Sequence, residues 1–218
     1  LHACGYVYCP GEMMAVTAKW RQPLARWKRY FASWIEQPEP EAQMLASVMF
    51  DLRPIRGETR LIDALQAFTF EKAKANSLFV AHIVGNALSR TPPLGFLGKF
   101  VLNRGGEHGK QIDLKMQGVV PIIDIARVYA LTAGEPLANT RDRLIAAQQA
   151  RIISESGMHD LIDALEFLST VRLKGQSRSI KAGQAPTNYL SPDDLSRIER
   201  QHLRDAFLIV RTMQSNLA

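Results

Sequence analysis

TRLIDALQAFTFEKAKANSLFVAHIVGNAL, residues 59–88, decides the fold class. Leu61, Leu65, Phe68, Ala75, Phe79, His82 and Ile83 fall mostly three, four or seven residues apart, the period of an amphipathic helix rather than a strand. The spacing predicts one long or kinked helix running to about Leu88, stopped by Pro92, Pro93 and Gly95. Toward the C-terminus the same period recurs over roughly 119–132, over 140–153 after Asn139, and over 158–173 with Leu161, Leu165 and Leu168. A last helix over 192–214 opens on Ser191 as cap with Pro192 at its first position. Residues 174–186, basic and rich in turn formers, are expected to form a mobile surface loop. Residues 100–102 and 111–116 flank the turn-rich stretch 104–109 and read as a small hairpin.

Toward the N-terminus the pattern changes. Residues 4–9 read as a strand, and 23–35 as a helix with an apolar stripe of Leu24, Trp27, Phe31, Trp34 and Ile35. Its flank is basic, with Lys19, Arg21, Arg26, Lys28 and Arg29 and no acid among them. Pro38 and Pro40 break the chain, a short helix is expected next, and 48–55 reads as a strand halted by Pro54 and Gly57. The expected fold is therefore mainly α. A helical bundle with a small β-hairpin over 59–218 follows residues 1–58, a unit that mixes strands and helices.

A net charge of +6 and an apolar fraction of 46% describe a chain able to bury a core and suited to an anionic partner: nucleotide phosphates, nucleic acid or an acidic neighbouring domain. The apolar runs 78–84 and 119–123 are too short to span a membrane and no basic-then-apolar leader opens the chain, so no membrane partner and a cytoplasmic location are expected. The chain begins at Leu1 and reads almost at once as a strand, which suits a piece of a longer protein. Cys4 and Cys9, the only two cysteines, are expected to be reduced structural thiols.

There is no phosphate-cradling P-loop, no paired-His zinc motif and no Gly-x-Ser-x-Gly elbow. Three segments place charge where it calls for an explanation. In Phe50-Asp-Leu-Arg-Pro-Ile-Arg-Gly, strand alternation puts Asp51 and Arg53 on one face, and an acid there calls for a metal or for an ion pair with Arg53 or Arg56. In Ile112-Asp-Leu-Lys-Met, Asp113 and Lys115 share the polar face of a strand, and Asp124 follows among isoleucines, where a helix-surface acid is the plain reading. The third, Tyr8-Cys-Pro-Gly-Glu-Met-Met-Ala leading to Lys19-Trp-Arg, reads as a strand, a tight turn and a basic face.

Together these segments resemble a nucleotidyltransferase family of bacterial signalling proteins whose members carry cyclic-nucleotide-binding and CBS modules upstream. The resemblance runs through Cys9-Pro-Gly-Glu-Met-Met-Ala, Trp20-Arg and Ser47-Val-Met-Phe-Asp-Leu-Arg-Pro-Ile-Arg-Gly. It continues through Asp113-Leu-Lys, Gly118-x-x-Pro-Ile-Ile-Asp-Ile-Ala-Arg, Asn139-Thr-x-x-Arg-Leu, Asp160-Leu-Ile-Asp-Ala-Leu-Glu-Phe and Leu195-Ser-x-Ile-Glu-Arg. That family is similar to the GlnD-like PII-protein uridylyltransferases and to the glutamine synthetase adenylyltransferases. The resemblance implies that residues 1–58 end a polymerase-β-like domain and that 59–218 are its helical companion. It makes Asp51 the third metal-holding acid, with Mg2+ as cofactor and Arg53 as buttress. Lys19, Arg21, Asp113 and Lys115 become contacts to a nucleoside triphosphate or an acceptor. The Gly-Gly-Leu-Arg-Asp of the uridylyltransferases is replaced by Gly118-Val-Val-Pro-Ile-Ile-Asp124, so the acceptor does not carry over.

The Gly-Ser turn and Asp-x-Asp that complete such a site are not found before Asp51. Two-metal transfer needs several carboxylates, so the chain is expected to be inactive alone while its parent transfers a nucleotidyl group to a protein or small acceptor. A second expectation is a non-catalytic helical module coupling upstream regulatory domains to an output. Nucleic acid is not expected as a partner, because Trp27, Phe31 and Trp34 lie in the apolar stripe and do not alternate with the cations.

Overall fold

The computed structural model describes residues 2–37, 39–95, 98–103, 105–106 and 108–217. Pro38 of the expected break, and Arg104 and Glu107 of the turn-rich stretch, lie outside the described residues. In chain order the helices are α1 (Leu24–Glu36), α2 (Pro40–Met49), α3 (Thr59–Lys74), α4 (Ser77–Ser89), α5 (Val120–Ala133), α6 (Thr140–Gln149), α7 (Glu155–Lys181) and α8 (Arg197–Ser215). One antiparallel pair, β1 (Ile112–Asp113) with β2 (Tyr189–Leu190), puts Ile112 opposite Leu190. The fold is mainly α with a small sheet, as the period of the sequence requires.

Two cores share one wall, the helix α5. Its residues Ile122, Ile125, Ala126 and Tyr129, at i, i+3, i+4 and i+7, enter a largely aliphatic core with Leu144 of α6, Leu161 and Leu168 of α7, and Leu203, Phe207 and Val210 of α8. Val128 and Leu131, on its other side, enter a second core with Phe31, Trp34 and Ile35 of α1, Leu45 of α2, Leu65 of α3 and Phe79 of α4. The second core thus joins residues from both sides of position 58. Gln214 of α8 is buried and donates to the carbonyls of Ala87 (2.8 Å) and Arg90 (2.7 Å), satisfying carbonyls at the end of α4 that the helix itself leaves unpaired. The stretch Lys115–Ala133 is by length and composition apolar enough to cross a membrane, but much of it is buried between the two cores.

Several expectations are corrected. Residues 4–9 form no strand and are exposed; no described strand lies beside them, and an unpaired edge leaves backbone groups to water. Free Cys4 and Cys9 are exposed there, so they are not packed structural thiols. The expected strand over 48–55 is the end of α2 followed by a turn at Phe50–Asp51, because Pro40 starts a helix of good helix formers that runs to Met49. The single helix over 59–88 is two: Asn76 caps α4 by accepting from the Phe79 amide (2.9 Å), which separates it from α3. The hairpin between 100–102 and 111–116 is replaced by β1 pairing with distant β2, although Asn103 still exchanges backbone bonds with Lys110 and Gln111. Residues 174–181 are not loop but the last two turns of α7. The final helix starts later than Ser191: that residue caps a single 3-10 turn at Pro192–Asp194, while Ser196 and Glu199 form the capping box of α8.

A charged junction as candidate functional site

The turn that replaces the expected strand sets Phe50 and Asp51 on opposite tasks. Phe50 makes ring contacts with Phe31, Phe70 and Phe79 in the second core. Asp51, one residue on, points into a set of charges contributed by α5 and α6. Asp51 Oδ1 accepts from Arg127 Nε at 3.2 Å, Arg127 Nη2 also donates to Asp51 Oδ2, and Arg143 Nη1 lies 2.7 Å from Oδ1. The Arg143 contact has ion-pair distance without hydrogen-bond alignment. The other donors of Arg143 are well used, Nε to the Leu137 carbonyl at 2.5 Å and Nη2 to the Phe50 carbonyl at 3.3 Å. Its side chain is 1% exposed, so this guanidinium is an internal tie among α6, the loop before it and the end of α2.

Asp124, a helical turn before Arg127, is buried and is not the surface acid read from sequence. It accepts from Arg127 Nη1 at 2.5 Å, and its other oxygen lies 3.7 Å from Arg90 Nη1 without a hydrogen bond among the described residues. Burial raises the Asp124 carboxyl above its ordinary range, against the pull of Arg127 and Arg90. Burial opposes the charge on Arg127 too, but the bonds and attraction of Asp51 and Asp124 outweigh it and hold that guanidinium above its ordinary value. In Arg143 burial wins and the value falls, though an arginine remains charged near neutrality.

The residues singled out in sequence are dispersed by the fold. Arg53 is exposed and makes no ion pair among the described residues, so the Asp51–Arg53 pair is replaced by Asp51 with Arg127 and Arg143; Arg56 is likewise exposed. Asp113 and Lys115 do not share a strand face. Asp113 Oδ1 accepts from the amides of Lys115 (3.0 Å) and Met116 (2.9 Å), turning the chain out of β1 into a π turn at Lys115–Val119. Lys115 is then exposed, and Leu114 is driven into the first core. Gly118 lies where a Cβ would come 3.2 Å from Leu168 and Phe207. Lys19 sits over the Trp20 ring, with its ammonium 4.9 Å from the ring centroid, and Arg21 is exposed.

A divalent ion does not fit the junction. Two guanidiniums already face Asp51, Asp124 is committed to Arg127, and no group of three or more His, Cys, Asp or Glu among the described residues could hold a metal. Like charges this close would raise the cost of a bound cation. The residues that complete the site, Arg90, Arg127 and Arg143, had no role assigned from sequence. For Arg127 a signal was nonetheless present, an arginine interrupting an apolar period at Ala126-Arg127-Val128, whereas Arg143 follows Arg141 and Asp142 and carries no such mark.

Comparison with known families gives two matches in chain order. Residues 77–218 match the family described as "putative nucleotidyltransferase substrate binding domain", and residues 1–41 match "putative nucleotidyltransferase DUF294". No curated protein and no solved structure matches the chain.

Proposed function

The chain belongs to the nucleotidyltransferase substrate-binding family, and we propose that it is the helical substrate-holding part of a GlnD-like signalling nucleotidyltransferase. The single observation that carries this reading is the family match, which spans α4 to α8 and so takes in the whole first core. In this reading the parent enzyme takes a nucleoside triphosphate and an acceptor, answers to upstream cyclic-nucleotide-binding and CBS domains, and works in the cytoplasm. Residues 1–58 end the transferase domain and 59–218 hold the substrate. Mg2+ would be held by carboxylates of the parent outside this chain. Asp51 would anchor the transferase segment on α5 and α6 through Arg127 and Arg143, and exposed Lys115, Lys19 and Arg21 would be free to meet phosphates or acceptor.

The test is calorimetric titration of the chain with each of the four ribonucleoside triphosphates, paired with an assay for labelled nucleotide transfer in magnesium. Binding of at least one nucleotide without turnover is expected. Turnover abolished by a chelator would place the active site within this chain, and failure of every nucleotide to bind would remove the substrate-holding role.

A further inference from the structure

From Arg172 to Pro192 the chain has four cations, Arg172, Lys174, Arg178 and Lys181, and no acid. Folding this stretch into α7 places Lys174, Arg178 and Lys181 at i, i+4 and i+7, one face of the helix over about 10 Å. Thr170 and Ser177 fall on that same face. With Leu173 these residues line one wall of an open cleft of about 630 Å3, and Asp194 and Glu199 stand on the other.

The acids do not use up the cations. Glu199 lies 3.7 Å from Lys174 but also accepts from the Ser196 amide at 3.1 Å, and these bonds hold its carboxyl below the usual range. Among the described residues Arg178 reaches the Asp194 carbonyl alone, at a long 3.5 Å, and not its carboxylate. Lys181 has no hydrogen-bond or ion-pair partner among the described residues. Complementing the carbonyl end of α7 accounts for Arg178 and Lys181 in its last turn. It does not account for Lys174 earlier in the helix, nor for two hydroxyls beside the row.

We propose that this cleft binds a chain of two or more phosphates. A guanidinium offers a planar fork that bonds two phosphate oxygens at once, the two lysines supply mobile point charges on either side, and Thr170 and Ser177 add neutral donors. Carboxylates strung along a peptide would satisfy the cations less fully, because each carries a single charge where a terminal phosphate carries close to two and presents three unbridged oxygens. The site is independent of the proposed function: neither the family match nor the Asp51 junction enters it. Since the cleft is open, binding is weakened steeply by salt.

The experiment is calorimetric titration of the full 218-residue chain with sodium tripolyphosphate, and separately with ATP, in low-salt buffer. The same titrations are run on Arg178→Gln/Lys181→Gln and, as a control for net charge, on Arg56→Gln/Lys74→Gln, two exposed cations remote in sequence from α7. Both cleft cations are exposed, so the double variant should melt as the parent does. Saturable binding that weakens about tenfold or more in the cleft variant, and less than about twofold in the control, is expected. Tighter binding of ATP than of tripolyphosphate assigns the phosphates to a nucleotide, and equal binding to a free phosphate chain. The proposal is overturned by no binding, by equal losses in both variants, or by a hexaglutamate peptide that binds more tightly than tripolyphosphate.

Discussion

The first core, between α5, α6, α7 and α8, and the second, between α1, α2, α3 and α4, share α5 but are completed differently. In the first, aliphatic side chains such as Leu161, Leu168, Leu203 and Val210 meet around Phe207, and Gly118 lets the π turn approach them closely. The second is built on rings: Phe50 lies 6.1 Å from Phe31, 5.4 Å from Phe70 and 6.0 Å from Phe79 between centroids. Apolar packing has no direction of its own, so neither core dictates how α2 is registered against α5 and α6. That registry comes from Asp51, Arg127 and Arg143, charges that must meet at fixed geometry. The lesson is that contact between the cores is apolar in bulk and ionic in its alignment.

The largest expected effect comes from breaking the alignment. Asp51→Asn leaves the buried Arg143 guanidinium without its carboxylate and Arg127 with only Asp124, at a cost of about 3 kcal/mol in urea unfolding. A loss under about 0.5 kcal/mol would reduce the junction to the rank of a surface ion pair.

An intermediate effect sharpens the contrast between the packed glycine of one core and the open glycine of the other. Gly118→Ala places a Cβ 3.2 Å from Leu168 and Phe207, both fully buried, and should destabilise by about 1–3 kcal/mol. Gly85→Ala in α4 meets nothing within 4 Å and should gain up to about 1 kcal/mol from helix propensity. Equal melting temperatures for the two variants would contradict the close approach at Gly118.

The smallest effect is a change of pH slope at Asp124. Its folded carboxyl titrates above the unfolded value because burial disfavours the anion. The folded protein therefore holds the proton more firmly, and this group's contribution to stability is greatest below the unfolded pKa and declines as pH rises through the folded one. Asp124→Asn should remove that decline. Relative to the parent it should gain stability with rising pH across the acid range, as followed by urea midpoints at several pH values. A constant offset between the two proteins would show that Asp124 does not titrate differently on folding.

Local pattern was enough for much of the fold. The three-and-four spacing of Leu161, Leu165 and Leu168 marked α7, Asn139 stood at the start of α6, and a mainly helical chain followed from them. These signals act within a few residues, where helix period and caps are decided. The strand readings at 4–9 and 48–55 had no such support, since a strand exists only if a distant partner supplies its hydrogen bonds. β1 found its partner in Tyr189–Leu190, far along the chain. The sites divide in the same way. Residue order is enough to mark Asp51 and Asp113 as acids in need of a partner, because an acid within an apolar period is costly to bury. What answers each depends on how the helices pack. Asp113 is satisfied by the amides two and three residues on, whereas Asp51 is satisfied by arginines 76 and 92 positions away. Electrostatic pairing depends on distance in space, and that distance exists only after α5 and α6 have packed.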